Sequence, residues 1–516
     1  MQTATAPATG SERASIGNIF VKAAPWLLLV QTVIACCRAF FSHRPWMLFE
    51  YDDFFYYLKV AVNLATGHGS TYNRIVATNG YHPLWLLILT GLSFFTQNGR
   101  AILVFLGFAT VVSTLVTYLL SRKIMLRAGV ESLTAAALSL YVAVYACRIY
   151  FSGMEIIIAI PLALALIAAI QAGDALSSAP RAFATGLLAS LAVLARLDTI
   201  ILVVLLTIMV LLTADHRKQL SLGRIAAAFA GFSPVFIYLW INKHFFGVLT
   251  PVSGASKQLK PHGRPSNAVI ETILHIPLKT ELHFLFILIT MIAVVISYRS
   301  LRSTAMMVIL PVMLFPLIYY TLLSFLSDWW IPDWYFYAMK IALCISFVFW
   351  FTRPSVAFVA NTAVARIALV AVALVVLTGN WWLVTQTGIY ETGVDLHAFE
   401  ATHPGIYAMG DRGGKAGYLL DNPMVQVEGL VMDKDFLEHM RRAEDLHTVL
   451  RDYNVRYYIA TAHHPFSGCF EAVEPYQAGP ASPTMKGEFC SDPVARYQHA
   501  DVITLVYDLE REPKTN

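Results

Sequence analysis

The chain has 516 residues, 57% of them hydrophobic and 14% charged, against about 45–50% and 25% in soluble domains, and its mean hydropathy is +0.59. These values exclude an ordinary soluble globule and predict a polytopic membrane protein of mainly α class, with length left for one soluble domain. The net charge of +4 needs no nucleic-acid partner, because the basic residues gather at the ends of apolar segments, where membrane insertion places them.

The N-terminus is polar up to Lys22, and the first apolar run, 23–41, is long enough to span a bilayer. Residues 50–85, which follow it, carry the most chemistry. Asp52 and Asp53 stand side by side at the head of an amphipathic helix. Phe54, Tyr57, Leu58, Val60, Ala61 and Leu64 recur at helical spacing, and Gly67 and Gly69 close the pattern. Phe54, Tyr57 and Leu58 are expected to press this helix onto the bilayer surface. The aspartates read in two ways. Either Asp52 caps the helix and Asp53 complements its positive N-terminus, or one is a general base, since carboxylates this close drive their pKa values apart.

Further spans are expected at 101–121, 132–147, 155–172, 182–196, 198–214, 223–243, 282–298, 304–326, 335–352 and 364–386, which makes about eleven helices. Residues 84–95 are too short to span and suit an interfacial or re-entrant piece. Charge supports this partition. With the N-terminus inside, Arg122, Lys123, Arg127, Arg181, Arg217, Lys218, Arg224, Arg299, Arg302 and Arg353 all fall in inner loops. The outer face then receives the first loop (43–100), the turn 148–155, the Arg196-Leu197-Asp198 corner, the loop after Trp240, the turn 327–334 and the tail. One outer segment breaks the pattern: 244–282 holds Lys257, Lys260, Arg264 and Lys279 against Glu271 and Glu281. That excess reads either as solvated loop charge or, the preferred reading, as a seat for an anionic ligand, most naturally a lipid phosphate. Glu155, Arg196 and Asp198 stand at the membrane edge, where charges face a cavity or pair with one another.

The composition changes towards the C-terminus, dividing the chain into a membrane domain, 1–386, and a soluble α/β domain, 387–516. Strands are expected at 407–409, 425–427, 456–460 and 502–507, and Phe436, Leu437, Met440, Leu446, Val449 and Leu450 mark a helix opened by Asp435. Residues 410–414 (GDRGG) lack the spacing of a phosphate-binding loop and read as a turn. Cys469 and Cys490 would pair if the tail is outside the cytoplasm, whereas Cys36, Cys37, Cys147 and Cys344 lie in or beside apolar runs as small hydrophobes.

Several motifs together resemble those of GT-C superfamily glycosyltransferases: the aspartate pair before an aromatic run, 63–69 (NLATGHG), 79–85 (NGYHPLW), 152–155 (SGME), 195–198 (ARLD), 246–257 (FGVLTPVSGASK) and 417–431. The likeness runs through most of the chain and is closest to the terminal arabinofuranosyltransferases of actinobacteria, from which 80–85 (GYHPLW) departs where those enzymes more often carry YTNPLW. The resemblance implies inverting transfer of a sugar from a polyprenyl-phosphate donor to a glycan or glycolipid acceptor at the outer face of the cytoplasmic membrane, with the tail on the periplasmic side. It implies Asp52 as the base and Asp53 as the holder of a sugar hydroxyl or a metal. Lys257 and Arg196, backed by Arg148 and Lys260, would grip the donor phosphate, and Tyr56, His68, Tyr81, His82, Glu155, Asp198, Trp329 and Trp330 would contact substrate. Asp52, Asp53 and Glu155 are hard oxygen donors that suit Mg²⁺ or Mn²⁺, although no ligand spacing demands a metal. The competing class is a transporter or flippase. Against it, the charges gather at one face and two similar halves are not evident. In a third reading the tail binds carbohydrate and the membrane part anchors it.

Overall fold

In a bilayer every backbone N–H and C=O must find its partner within the chain, so long apolar runs close into helices. The computed structural model describes residues 16–41, 51–213, 218–261, 263–267, 270–272, 278–297, 308–379, 389–462, 468–499 and 502–512. Its membrane part comprises α1 (Ile16–Phe40), α2 (Asp52–Ala65), α3 (Pro83–Phe95), α4 (Gly99–Arg127), α5 (Ser132–Tyr150), α6 (Ile156–Gln171), α7 (Ala179–Ala195), α8 (Ile200–Leu212), α9 (Leu222–Ile241), α10 (Leu278–Ile296), α11 (Ile309–Leu326), α12 (Tyr337–Phe351) and α13 (Ala363–Gly379), with short turns of helix between.

Among the described residues, six helices are long and apolar enough to cross a membrane, and a seventh crossing arises if the bent pair Pro354–Ala360 and Ala363–Thr378 counts as one span. The other expected spans coincide with shorter apolar helices: α6, α7, a piece covering Leu197–Leu212, and Leu282–Ile296. Each of the eleven expected intervals therefore holds an apolar helix, but not every one is long enough to cross unaided. Residues 84–95 form the separate short helix α3, started by Pro83 at its first turn. Arg217, Arg299 and Arg302 lie outside the described residues.

The expectation for α2 is corrected. Phe54, Tyr57 and Leu58 are buried in protein, with α3 on one side and a tail helix, Gly413–Leu419, on the other. An apolar helix face fits lipid and protein equally well: here Phe54 lies against Gly153 and Tyr57 bonds Glu155, while the tail covers the opposite side of the helix at Asp52, Phe55 and Tyr56.

The tail forms a five-stranded sheet of order β2-β1-β3-β7-β6, built from β1 (Tyr407–Met409), β2 (Met424–Gln426), β3 (Tyr457–Ala462), β6 (Ala495–His499) and β7 (Val502–Asp508). β2, β1 and β3 run parallel, and β7 turns antiparallel against β3 and β6. A separate hairpin pairs β4 (Phe470–Glu474) with β5 (Met485–Phe489), and the Cys469–Cys490 disulfide joins its outer ends. The single helix expected from Asp435 onward is two, Lys434–Arg441 and Leu446–Asp452. Asp433, not Asp435, caps the first by accepting from the Phe436 N–H at 3.0 Å, and the chain breaks at Ala443 with φ of 48°. The segment 410–414 is a turn only as far as Arg412; Gly413 already begins a helix. One face of the tail keeps its own core around Ala408, Val425, Phe436, Leu446, Tyr458 and Tyr507. Tyr407, Met409, Ala416, Leu420 and Met424 on the other face join the core that contains Phe54, Trp85 and Tyr150.

Candidate functional site

Where α2, α3, the turn before α6, the α7–α8 corner and the segment between α11 and α12 meet beneath the tail, they enclose a cavity of about 350 Å³. Asp53, Tyr56, Tyr57, His82, Glu155, Arg196, Asp198, Lys257, Tyr319, Trp329, Trp330 and Tyr335 line it, with Leu430 and Val431 of the tail. Leu322, Leu323 and Leu326 of α11 make an apolar side, and Leu322 and Trp330 are exposed.

The two aspartates part ways because successive residues of a helix point about 100° apart. Asp52 turns to the tail, where its carboxylate accepts the backbone N–H groups of Gly414 at 2.5 Å and Lys415 at 2.7 Å. The approach is so close that a Cβ on Gly414 would lie 2.1 Å from the Asp52 carbonyl oxygen, so only glycine fits there. Burial lifts the Asp52 pKa to about 6 against the lowering pull of these two N–H groups. Asp52, expected as the base, is absent from the cavity lining, and both its oxygens pin the tail to α2. Asp53 faces the cavity and makes no hydrogen bond or ion pair among the described residues. Burial raises its pKa, with Lys257 opposing and Glu155 and Asp411 assisting the rise.

Lys257 is a cation of the same lining. Its Nζ lies 5.4 Å from the centre of the Tyr335 ring and 5.6 Å from that of Trp329, donates to the Tyr335 hydroxyl at 3.4 Å, and has no carboxylate within ion-pair distance among the described residues. Burial pulls this ammonium down, but Tyr335 and Asp53 outweigh it and hold its pKa above the ordinary value.

Arg196 lines the same cavity with its donors already committed. It is 2% exposed, pairs with Glu155, donates from Nε to Asp198 at 3.2 Å and from Nη2 to the Tyr319 hydroxyl at 3.3 Å, and lies over the Tyr335 and Tyr337 rings at 4.6 and 4.7 Å. Asp198 also accepts from the Tyr337 hydroxyl at 2.6 Å. Glu155 accepts from the Tyr57 hydroxyl at 3.3 Å, and that hydroxyl accepts the His82 backbone N–H at 3.1 Å. The His82 ring accepts the Leu197 N–H at Nδ1, 3.3 Å away, which leaves Nε2 to carry the proton towards Glu155, 3.7 Å off. Burial lowers the His82 pKa, consistent with a neutral ring. Arg196, Glu155, Asp198 and His82 thus form one interlocked network forming a wall of the cavity.

Several expected contacts lie elsewhere. Lys260 is buried and spends its ammonium on the carbonyls of Arg264 at 2.6 Å and Ser324 at 3.0 Å, fixing the loop. His68 is exposed and meets Thr66, closing the turn after α2. Tyr81 pairs its hydroxyl with Ser70 at 2.6 Å and does not line the cavity. Arg148 is exposed at the end of α5, also outside the lining. The expected metal donors are not gathered into one cluster. Among the described residues the ligand atoms that gather within 4.8 Å of one another belong to His397, Glu400 and Asp421. Asp52, Asp53 and Glu155 do not converge, since Asp52 holds backbone and Glu155 holds Arg196. At the other cluster, Glu400 already accepts the N–H groups of Asp421 and Asn422 at 2.9 Å each.

The sequence reading missed Tyr57, Tyr319, Tyr335, Tyr337 and Glu428. Glu428 accepts from Gln426 Nε2 at 3.0 Å, and Gln426 also donates to the Tyr56 hydroxyl at 3.3 Å. Burial raises the Glu428 pKa well above the usual carboxylate range, and Glu474, buried beside it, is pushed up to about 8. The tyrosines sit within aromatic apolar runs and carry no motif of their own. Glu428 falls in the tail segment whose likeness was noted without a role.

No family model and no curated protein matches this chain. Among solved structures it is similar to the archaeal oligosaccharyltransferase AglB from Archaeoglobus fulgidus in complex with an inhibitory peptide and a dolichol-phosphate. That match has 10% identity and a TM-score of 0.50, covering 95% of this chain and 77% of the other. A crystal structure of the Archaeoglobus fulgidus oligosaccharyltransferase with Zn and sulfate matches at 12% identity and a TM-score of 0.55, covering 85% and 67%. At such identities the likeness establishes the fold alone: apolar helices followed by a C-terminal sheet domain.

Proposed function

We propose that this protein is an inverting glycosyltransferase that moves a sugar, in the arabinofuranosyltransferase likeness a pentose, from a polyprenyl-phosphate donor to a glycan or glycolipid hydroxyl at the outer face of the cytoplasmic membrane. The observation that carries the reading is that a buried carboxylate with no hydrogen bond among the described residues, Asp53, and a cation with no carboxylate partner among them, Lys257, line one cavity that also has an apolar side. The fold shared with an enzyme solved with dolichol-phosphate supports it.

In this mechanism the prenyl chain lies along Leu322, Leu323 and Leu326, and the phosphate meets Lys257. Asp53 accepts the proton of the acceptor hydroxyl, whose oxygen attacks the anomeric carbon. The bond from that carbon to the phosphate oxygen breaks, and the prenyl phosphate leaves with the electron pair, its charge met by Lys257. A base on the face opposite the leaving group inverts the anomeric centre. The desolvated setting of Asp53 makes it more basic than a surface aspartate, which favours proton uptake. Trp329, Trp330, Tyr335 and Tyr56 offer the aromatic and hydroxyl surface a sugar needs. No step of this mechanism runs through a metal.

The test is to incubate the purified protein with a panel of polyprenyl-phosphate sugars and a hydroxyl acceptor. Consumption of at least one donor, lost in Asp53→Asn, is expected. No transfer from any donor, or transfer undiminished in that variant, overturns the proposal.

A further inference from the structure

Trp329 carries a hydrogen-bond donor that the protein leaves unused. The residue lines the same cavity as Asp53 and Lys257 and is 4% exposed, yet its indole Nε1 is buried with no hydrogen-bond partner among the described residues. An indole N–H can only donate, and leaving a buried donor without an acceptor is costly, so nearly all such groups are paired. The Lys257 ammonium lies over the same ring, 5.6 Å from its centre.

The backbone that carries this ring is held by the tail. The Asp328 carboxylate accepts from the Ser266 hydroxyl and from the Ala481 N–H, each at 2.7 Å, and the Asp328 carbonyl accepts the Gly479 N–H at 2.9 Å. A Cβ on Gly479 would lie 2.4 Å from that carbonyl oxygen, so the two segments meet as closely as a glycine allows. Trp329 itself forms an antiparallel bridge with Ala478, and its backbone N–H donates to the Ser327 hydroxyl at 3.2 Å. The indole is therefore set in place before any ligand arrives, as a binding group must be to act without reorganising.

The chemistry of the neighbours says what would complete it. The Lys257 ammonium and the indole N–H are both donor-only groups. The Tyr335 hydroxyl already accepts from Lys257 at 3.4 Å, which leaves its own proton to donate. A sugar hydroxyl brings a proton that these three groups cannot accept, whereas the unbridged oxygens of a phosphate diester only accept.

We infer that Trp329 Nε1–H donates to an unbridged oxygen of the donor's phosphate beside Lys257, and that tail residues 478–481 position it for that contact. The inference rests on the prenyl-phosphate donor proposed above and adds a neutral donor to its cation. As the bond from the anomeric carbon to the phosphate oxygen breaks, negative charge grows on the phosphate, so the N–H contact strengthens towards the transition state.

The experiment replaces the Trp329 side chain in the full chain with benzothienylalanine, which keeps the ring shape and puts sulfur where the N–H was, with Trp329→Phe as a second variant. Calorimetric titration in detergent measures the Kd of farnesyl phosphate and of farnesol, and melting temperature checks the fold. The farnesyl phosphate Kd should rise about tenfold to a hundredfold in both variants, the range for losing a hydrogen bond to a charged group, while farnesol binding to the benzothienyl protein stays as in the parent. If Trp329→Phe misfolds, the isosteric replacement decides. An unchanged farnesyl phosphate Kd in the benzothienyl protein, or equal weakening of farnesyl phosphate and farnesol, overturns the inference and leaves the donor reading standing. A raised KM for a sugar donor with farnesyl phosphate affinity unchanged also overturns it, by giving the N–H to the sugar. A parent protein that binds no farnesyl phosphate overturns both, and one that binds it through Trp329 but transfers no sugar overturns the donor reading alone.

Discussion

Asp52 and Asp53 are neighbours in sequence, yet replacing each by asparagine should damage different properties. Asp53 makes no hydrogen bond among the described residues, so Asp53→Asn removes no structural contact and even relieves a buried charge. Its melting temperature should hold or rise, while kcat falls by about 10²–10⁴, the usual worth of a positioned base. Asp52 holds two backbone donors, Gly414 and Lys415, at 2.5 and 2.7 Å. Asparagine offers one acceptor oxygen in their place, so one buried N–H loses its partner at a cost of about 1–3 kcal/mol. That variant should melt earlier, and its activity loss should follow the loosened tail. The pH profile gives a second readout. Because burial raises the Asp53 pKa, kcat/KM should fall on acidification in a range above the ordinary aspartate value. Asp52, at about 6, is also higher folded than unfolded. Both groups bind more protons in the folded state, so acidification through that window strengthens folding through them, and the activity loss is not unfolding. The assays are donor turnover and thermal melting in detergent. Undiminished transfer by Asp53→Asn, together with abolished transfer by an unchanged, fully stable Asp52→Asn, would refute the assignment.

Lys257→Met should raise the KM for a prenyl-phosphate donor about tenfold or more with little change in melting. Lys260→Met should instead lower stability, since two loop carbonyls lose their donor; a donor KM that rises only in the Lys260 variant would contradict both roles. Glu155→Ala strips the buried Arg196 of a counter-charge and should cost about 3–5 kcal/mol, read as an earlier unfolding transition. An unchanged transition would mean Asp198 alone satisfies the guanidinium. The Cys469–Cys490 bond closes a loop with a sequence separation of 21, worth about 3 kcal/mol by loop entropy. The double serine variant should therefore lose tail protection in hydrogen exchange around β4 and β5, and protection equal to the parent's would count against that figure.

How the chain divides between legible and hidden follows from the range of the forces involved. Apolar length and loop charge act locally, so the helical intervals, the short α3 and the main tail strands could be read directly from the residues. The strands β4, β5 and β6 could not, because segments such as 485–489 and 495–499 mix polar side chains into a pattern set by their partners. For the site, Asp53, Lys257, Arg196, Glu155 and His82 stood out as charges or ionisable groups beside apolar runs. Their roles did not. Whether Arg196 is free for a ligand depends on Glu155, 41 residues away in sequence, and whether Asp52 or Asp53 meets the cavity depends on a tail helix more than 360 residues on. The sequence by itself determined a membrane-embedded helical chain with reactive groups at one edge. Only the tertiary structure decided which of those groups remain unpaired, because partners brought together by folding satisfy most of them and leave Asp53 and Lys257 facing the same space.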